Sequence, residues 1–231
     1  KIIMLLSLLF KGIVIGISVA TVMIFYSYFF KKSIPLKHQI IYLNGPSSAG
    51  KSTLARALQN KLKNPYLLIG IDQMITMMPE KLNDWHHDTI TPGFSWQPVK
   101  DNSGTITAYK IVKGPFGTRL NQALKDIVIT LARSGHYLII DDVSFGNEQV
   151  NAWQKTLRES NVLWVGVTAP FEILKAREKA RGDRKLGGAG WQAERVHVDV
   201  KYDLMIDTHD KTLDENTDII SQLIEPGHDQ T

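Results

Sequence analysis

The sequence predicts an α/β fold with a mostly parallel β-sheet. After Pro35, short apolar runs alternate with longer segments of mixed polarity, which is the pattern of β-α units. The apolar runs are continuous, as expected for strands that helices cover on both faces. Residues 1–35 do not share this pattern. We therefore expect an N-terminal segment, residues 1–35, followed by one domain, residues 36–231.

The predicted elements alternate along this domain. Strands are predicted for IIYL from Ile40, YLLIGI from Tyr66, YLII from Tyr137, VLWVGV from Val162 and YDLMI from Tyr202. Helical periodicity is present in residues 52–62, 120–133, 148–159, 171–181 and 213–224. Residues 80–117 are rich in Gly, Pro, Trp, Asn and Asp and are too long for a plain connection. We expect this segment to be irregular and to have a functional role.

An uncharged apolar stretch, GIVIGISVATVMIFYSYFF, occupies residues 12–30. As a helix it would extend about 28 Å, close to the thickness of a bilayer's hydrocarbon core. Aromatic residues at its end are followed by Lys31, Lys32 and Lys37, which favours a cytoplasmic location for the rest of the chain. We expect a single-pass membrane helix and a cytoplasmic domain. The alternatives are a signal peptide cleaved after SVA, residues 18–20, and a cytoplasmic protein whose mature chain lacks this segment.

The composition argues against several kinds of site. The 231-residue chain contains no cysteine, which excludes a disulfide framework, a thiolate metal site and a cysteine nucleophile. The net charge of +4 is small, and the basic residues cluster near the amino terminus and in residues 175–185. We therefore expect no nucleic-acid partner. Nothing in the sequence indicates the oligomeric state.

The strongest motif lies between the first predicted strand and the first predicted helix. Residues 45–52, GPSSAGKS, fit the nucleotide-binding pattern G-x-x-x-x-G-K-[ST] in the strand-to-helix context that the motif requires, which disfavours an ordinary glycine-rich turn. The backbone N–H groups of such a loop surround nucleotide phosphates. We expect Lys51 to contact the β and γ oxygens of ATP and Ser52 to bind Mg²⁺. The predicted ATP-binding residues are Gly45, Pro46, Ser47, Ser48, Ala49, Gly50, Lys51, Ser52 and Thr53.

Acidic residues end two other predicted strands. Asp72 follows LLIGI at the carboxyl edge of the sheet, where doubly wound folds bind their ligands. Its carboxylate would either accept a proton from a substrate or cap a helix over residues 73–78. Asp141 and Asp142 end YLIIDD, and such a residue beside a P-loop commonly holds Mg²⁺ or its water. We assign Asp141 to the metal, whereas capping or solvation is a strong alternative for Asp142.

Basic side chains are dense in residues 175–185, which include Lys175, Arg177, Lys179, Arg181, Arg184 and Lys185. So many like charges on one helix and turn destabilise it unless anions bind. We expect arginines of this segment to fold over a transferring phosphate, with GGAG at residues 187–190 acting as a hinge. The alternative is a solvent-exposed basic helix face.

Histidine and aromatic residues cluster in the segment 80–117. His86 and His87 are adjacent, so that on a helix their side chains would point about 100° apart, and no zinc-site spacing accompanies them. We expect both to be pocket or surface residues. Trp85, Phe94 and Trp96 would either pack in the core or form the walls of a flat apolar pocket for a phosphate acceptor.

These motifs together resemble the chloramphenicol phosphotransferase family of small P-loop kinases. The likeness lies in IIYLNGPSSAGKST, GIDQMITMMP, GHYLIIDDV, VLWVGV, AREKARGDR and KYDLMIDT, in that order. The resemblance implies a five-stranded parallel sheet flanked by helices, and transfer of the ATP γ-phosphoryl group to a hydroxyl of an amide antibiotic. It also implies that Asp72 is the catalytic base and that Arg181 and Arg184 lie near the donor phosphates.

The resemblance does not identify the molecule that accepts the phosphoryl group, because one scaffold can serve many acceptors. Chloramphenicol is the first candidate for a small-molecule alcohol acceptor, and its phosphorylation would confer antibiotic resistance. One alternative is a zeta-toxin-like kinase that acts on a nucleotide sugar. Another is a membrane-tethered module that binds ATP without transferring phosphate.

Overall fold

The computed structural model describes residues 38–183 and 185–225. The predicted membrane helix, residues 12–30, and the predicted site residue Arg184 lie outside these described residues. Within them, no helix combines the length and the apolar character needed to cross a bilayer.

The strands are β1 (Ile40–Asn44), β2 (Tyr66–Gly70), β3 (Phe94–Lys100), β4 (Ile106–Lys113), β5 (Tyr137–Asp142), β6 (Val162–Thr168) and β7 (Leu204–Asp207). Five of them form a parallel sheet, as predicted, and their order in the sheet is β2-β5-β1-β6-β7. Strands β3 and β4 form a separate antiparallel hairpin. The central strand β1 has β5 on one side and β6 on the other. Its carboxyl end therefore lies at the topological switch point of the sheet, where such folds bind ligands.

Helices flank both faces of the sheet. They are α1 (Lys51–Lys61), α2 (Ile71–Thr76), α3 (Pro115–Arg133), α4 (Gly146–Thr156), α5 (Phe171–Arg181), α6 (Gly188–Ala193) and α7 (Leu213–Ile224). Helix α3 begins at Pro115 instead of residue 120, because proline fits the first turn of a helix, where its missing N–H is not needed. The other long helices agree closely with their predicted ranges.

Two hydrophobic layers hold the sheet between the helices. Ile41 and Leu43 of β1 belong to a cluster that includes residues of α1 and α7, whereas Ile40 and Tyr42 belong to a cluster with residues of α3 and α4. All four side chains are fully buried. Neighbouring residues of a strand point to opposite faces, so one apolar run supplies both layers. The carboxyl end of β1 is thereby fixed against both helical layers.

The expectation that residues 80–117 are irregular is wrong for residues 94–113, which form a hairpin, whereas residues 83–93 contain no helix or strand. A short 3₁₀ helix at Glu80–Leu82 precedes the hairpin, in which Phe94 pairs with Lys113 and Trp96 with Ile111. The carboxylate of Asp101 accepts N–H groups of Ser103 and Thr105 and thereby forms the hairpin turn. A proline lies within β3, and lysines and neighbouring apolar residues break the strict alternation of β4, so the pattern was hidden in the sequence.

The expected hinge at residues 187–190 is also wrong. Gly187 is the N-cap of α6, and the small residues after it are buried against neighbouring elements. A β-carbon at Gly190 would lie 2.6 Å from the ring of Phe171 in α5. The buried carboxylate of Glu178 accepts the N–H groups of Gly187 and Ala189, each at 2.7 Å. The small residues therefore allow close packing of α5 and α6.

Candidate active site

A cleft of about 910 Å³ opens at the carboxyl edge of the sheet. Its walls bring together predicted residues from distant parts of the chain, namely Lys51, Ser52, Asp72, Asp141 and Arg181. Of the other predicted ATP-binding residues, Ser47, Ser48, Gly50 and Thr53 line the cleft as well. Arg184 lies outside the described residues. The residues predicted to form one site therefore line one cavity.

The P-loop backbone is concave towards the cleft. Ser48 and Gly50 adopt left-handed conformations, with φ of 65° and 88°. Such turns direct successive N–H groups to one side and form a cradle for anions. Gly45 lies so close to β6 that a β-carbon there would be 2.0 Å from the carbonyl oxygen of Val167. The first glycine of the motif therefore seats the loop on the sheet.

The Lys51 ammonium lies inside this loop. Its Nζ donates to the carbonyl oxygens of Gly45 at 2.9 Å and Pro46 at 3.0 Å, and the side chain is 7% exposed. Asp141 Oδ1 is 3.8 Å away. The ammonium is therefore held where nucleotide phosphates bind in P-loop proteins.

Asp141 and Ser52 form the pair that fits a magnesium ion. Ser52 Oγ donates to Asp141 Oδ2 at 2.5 Å. In the part of the chain that the structure describes, no group of three His, Cys, Asp or Glu residues could hold a metal by itself. A hydroxyl and one carboxylate suit Mg²⁺, which usually keeps waters and phosphate oxygens as its remaining ligands.

Asp142 has a structural role, in contrast to its neighbour. Its Oδ2 accepts hydrogen bonds from Tyr42 Oη at 2.6 Å, Ser144 Oγ at 2.5 Å and Trp153 Nε1 at 2.8 Å. Burial, and then the nearby Asp142 charge, raise the pKa of the Tyr42 phenol well above its ordinary value. Capping and simple solvation, the two expected alternatives for Asp142, are therefore both wrong. The carboxylate ties β5 to β1 and α4.

We predict that Asp142→Ala destabilises the fold by on the order of 3 kcal/mol, because donors around it lose their common acceptor. Thermal or urea unfolding of the purified variant measures this loss. The matched control, Asp210→Ala, changes an exposed turn residue and should leave the unfolding free energy nearly unchanged. Equal stability of the two variants would contradict the structural role of Asp142.

Asp72 lies on the first turn of α2 with its side chain exposed to the cleft. Gly70 is the N-cap of this helix, so the alternative that Asp72 caps it is wrong. Gly70 pairs with Asp141 across β2 and β5, so Asp72 follows two residues after the position that lies beside Asp141. Among the described residues, nothing forms a hydrogen bond or an ion pair with the Asp72 carboxylate. The carboxylate can therefore contact a ligand in the cleft.

The basic residues of α5 divide into different roles. Arg177 donates to Thr208 Oγ1 at 2.8 Å and to the Thr208 carbonyl oxygen at 3.1 Å, while Thr208 Oγ1 donates to the Ala49 carbonyl at 2.8 Å. Arg177 thus supports the P-loop through Thr208. Arg181 lines the cleft, is 46% exposed and pairs with Asp183 at 3.0 Å. Arg181 alone of these two can turn towards a phosphate without releasing the P-loop.

Lys185, at the end of the basic segment, binds the segment 80–117. Its Nζ forms an ion pair with Asp88 and donates to the His86 carbonyl oxygen at 3.2 Å. It also lies 4.7 Å from the ring centre of Tyr109 in β4. His86 and His87 are exposed, as expected for surface residues. The expectation of one solvated basic face therefore does not hold for Arg177 or Lys185.

Two supporting residues were missed in the sequence. Gln192 Oε1 accepts the N–H of Ser47 in the P-loop at 2.6 Å, although Gln192 lies far along the chain in α6. The buried side chain of Asn44 accepts the Ser144 N–H at 2.8 Å and donates to Tyr202 Oη at 2.8 Å. For Asn44, the sequence signal was a polar residue at the end of an apolar strand, directly before Gly45. No comparable signal in the sequence pointed to Gln192.

Two curated relatives, from two strains of Mycobacterium tuberculosis, bear the name "Putative O-phosphotransferase". Each is 29% identical to this chain over 171 residues, which represent 74% of this chain and 75% of the relative. The aligned part is therefore most of both proteins.

Solved kinase structures share the fold at low sequence identity. The APS kinase of Mycobacterium tuberculosis, in complex with AMPPNP and APS, aligns with a TM-score of 0.56 and 16% identity over 82% of this chain and 98% of the kinase. An unliganded sugar kinase of Janibacter sp. aligns with a TM-score of 0.53 and 16% identity over 81% of this chain and 95% of that kinase. At these identities the likeness concerns the fold.

A family model described as chloramphenicol phosphotransferase-like protein matches residues 38–225. The matched range contains every part of the cleft described above. The match confirms the resemblance that the motifs indicated. The chain belongs to the chloramphenicol phosphotransferase-like family.

Proposed function

We propose that this protein is an ATP- and Mg²⁺-dependent phosphotransferase that moves the γ-phosphoryl group of ATP to a hydroxyl of a small molecule. The observation that carries the proposal is the single cleft lined by Lys51, Ser52, Asp72 and Asp141. Membership of the family and the name of the mycobacterial relatives agree with this class of reaction.

Each of these residues has one role in the proposal. The P-loop amides and Lys51 bind the β and γ phosphates, and Ser52 and Asp141 hold Mg²⁺ directly or through water. The ion would neutralise charge on the transferred group. Asp72 takes the proton of the acceptor hydroxyl as the hydroxyl oxygen bonds to the γ-phosphorus and the bond to ADP breaks.

The proposal is tested by a phosphate-transfer screen with the purified full chain, labelled ATP and Mg²⁺. Chloramphenicol is the first acceptor to try, followed by other antibiotics and small alcohols. Transfer to a hydroxyl compound, lost when Mg²⁺ is removed with a chelator, is the expected result. Tight ATP binding without transfer to any member of a broad panel would favour the alternative of a non-catalytic ATP-binding module.

The zeta-toxin-like alternative keeps the same donor site and changes the acceptor to a nucleotide sugar. A toxic expression phenotype that a partner protein relieves would favour it. Adding nucleotide sugars to the acceptor panel tests the same alternative directly.

Arg181→Ala is predicted to lower kcat by at least about 10-fold while changing the Kd of ATP by less than about 3-fold. The reason is that an arginine on the cleft wall stabilises charge that grows only during transfer, and the same is expected of Arg184. Lys179→Ala removes an exposed cation of the same helix and serves as the control. Equal losses in ATP binding and turnover would mean that Arg181 binds the ground-state phosphates.

We also propose that residues 12–30 anchor the protein in a membrane, with the domain of residues 36–231 on the cytoplasmic side. This proposal rests on the sequence, since the apolar stretch lies outside the described residues. The expected result is resistance to alkaline carbonate extraction and digestion of the domain only when the cytoplasmic face is open to protease. Release of the full chain by carbonate would contradict it.

A further inference from the structure

Strand β4 brings two lysines to the cleft. Lys110 and Lys113 line it together with Asn121 of α3, the helix that packs against α2, where Asp72 lies. We call this side, defined by Asp72, Lys110, Lys113 and Asn121, the acceptor end. The P-loop defines the donor end. Neither lysine stood out in the sequence, because its position depends on the hairpin.

These two lysines have no anionic partner within the described ranges. Lys113 Nζ donates to the neutral amide oxygen Asn121 Oδ1 at 3.3 Å, and the Lys110 ammonium forms neither a hydrogen bond nor an ion pair with these residues. Desolvation lowers the pKa of Lys113, the Lys125 charge lowers it further, and the Asp142 charge opposes both effects. Lys113 is exposed and Lys110 is half-buried, so both ammonium groups are accessible to a ligand that supplies negative charge.

The carboxylates of the cleft are occupied by other partners. Asp141 accepts from Ser52 and lies near Lys51 at the donor end. Asp142 uses Oδ2 for three donors, and it is not within ion-pair distance of Lys113. Asp72 is the only other carboxylate that lines the cavity as described, and the proposed reaction needs it for the acceptor hydroxyl. The acceptor end therefore keeps positive charge for a ligand.

We propose that Lys110 and Lys113 bind an anionic group of the acceptor, so that the acceptor is a hydroxyl compound that also carries a carboxylate or a phosphate. The assignment of the hydroxyl rests on the proposed function, whereas the anion site rests on the two lysines. Apolar side chains beside them, Ile111 and Val112, would contact the rest of the molecule. A neutral compound such as chloramphenicol would be a poorer acceptor than an anionic one.

The anion site is tested by binding, without turnover. The full chain is saturated with Mg²⁺ and AMPPNP, which fills the donor end, and the binding of labelled inorganic phosphate is measured by equilibrium dialysis. Lys110→Gln and Lys113→Gln should each weaken phosphate binding by about 10-fold, the usual worth of one charge-assisted hydrogen bond. Lys100→Gln, on the partner strand β3 and outside the cleft, should have no effect. Absence of phosphate binding, or equal binding by all variants, would overturn the proposal.

The acceptor class is tested with matched alcohols. Gluconate is compared with glucose, and glycerol 3-phosphate with glycerol, so that the carboxylate and the phosphate are examined separately. The anionic member should be the better substrate, with KM raised about 10-fold by Lys110→Gln or Lys113→Gln and kcat nearly unchanged. Equal transfer to neutral members overturns the anionic acceptor and leaves phosphate transfer standing. Lysine-dependent phosphate binding without transfer to any alcohol overturns the proposed function and leaves the anion site standing.

Discussion

Replacing Lys51 by alanine is expected to abolish phosphate transfer, with a loss of at least about 10³-fold in kcat. The Lys51 ammonium lies inside the P-loop, hydrogen-bonded to the carbonyl oxygens of Gly45 and Pro46. When phosphates enter the loop, these neutral acceptors can be exchanged for charged oxygens. No other side chain of the loop carries a positive charge. The variant therefore loses the cation that neutralises the transferring group.

The measurement is the rate of ADP formation with the acceptor that the screen identifies, at saturating ATP. Lys61→Ala is the matched control, because Lys61 belongs to the same helix but forms its ion pair with Asp218 at the surface. An exposed ion pair of this kind contributes little to stability. The Lys61 variant should therefore fold as the wild type does, and circular dichroism checks that the Lys51 variant is folded before its rate is compared. If Lys51→Ala kept more than about a tenth of the wild-type rate, this lysine would not stabilise the transferring phosphate.

Features that depend on local sequence were predicted well. The P-loop is one continuous stretch, and its strand, turn and helix are all encoded within residues 40–61, so the motif fixes its own geometry. Asp141 lies at the carboxyl end of β5 and Asp72 two residues after the end of β2, and the carboxyl ends of neighbouring parallel strands meet at one edge. The sequence could therefore place these acids near the P-loop without knowledge of any distant contact.

Features that depend on distant contacts were not predictable. Arg177 and Arg181 lie one helical turn apart and look alike in the sequence. Thr208, which arrives from β7, engages only Arg177, and this contact separates their roles. Lys110 and Lys113 reach the cleft because β4 pairs with β3, whose irregular pattern hid the hairpin. The role of each of these residues depends on the distant residue that the fold places beside it. A single sequence does not show which residue that is.

Replacing Asp72 by asparagine is expected to reduce phosphate transfer by about 10²- to 10⁴-fold, which is the usual contribution of a general base. Asparagine keeps the size of the side chain and removes its ability to take a proton from the acceptor. The Asp72 carboxylate is exposed, caps no helix and has no partner within residues 38–183 and 185–225, so the fold does not depend on its charge. The unfolding temperature should therefore stay the same.

The decisive comparison for Asp72→Asn is between turnover and ATP affinity. A base acts on the acceptor, so kcat should fall while the Kd of ATP, measured with Mg²⁺ present, changes by less than about 3-fold. Glu80→Gln removes a carboxylate of similar exposure a short distance along the chain, outside the cleft, and should match the wild type in both quantities. A parallel loss of ATP affinity in Asp72→Asn would instead mean that Asp72 helps to hold the metal, and an unchanged kcat would exclude it as the base.

Because the lysines of β4 and Asp72 are proposed to act on the same acceptor, the Asp72 variant should keep the lysine-dependent binding of inorganic phosphate while losing transfer. That result would separate binding of the acceptor from its deprotonation.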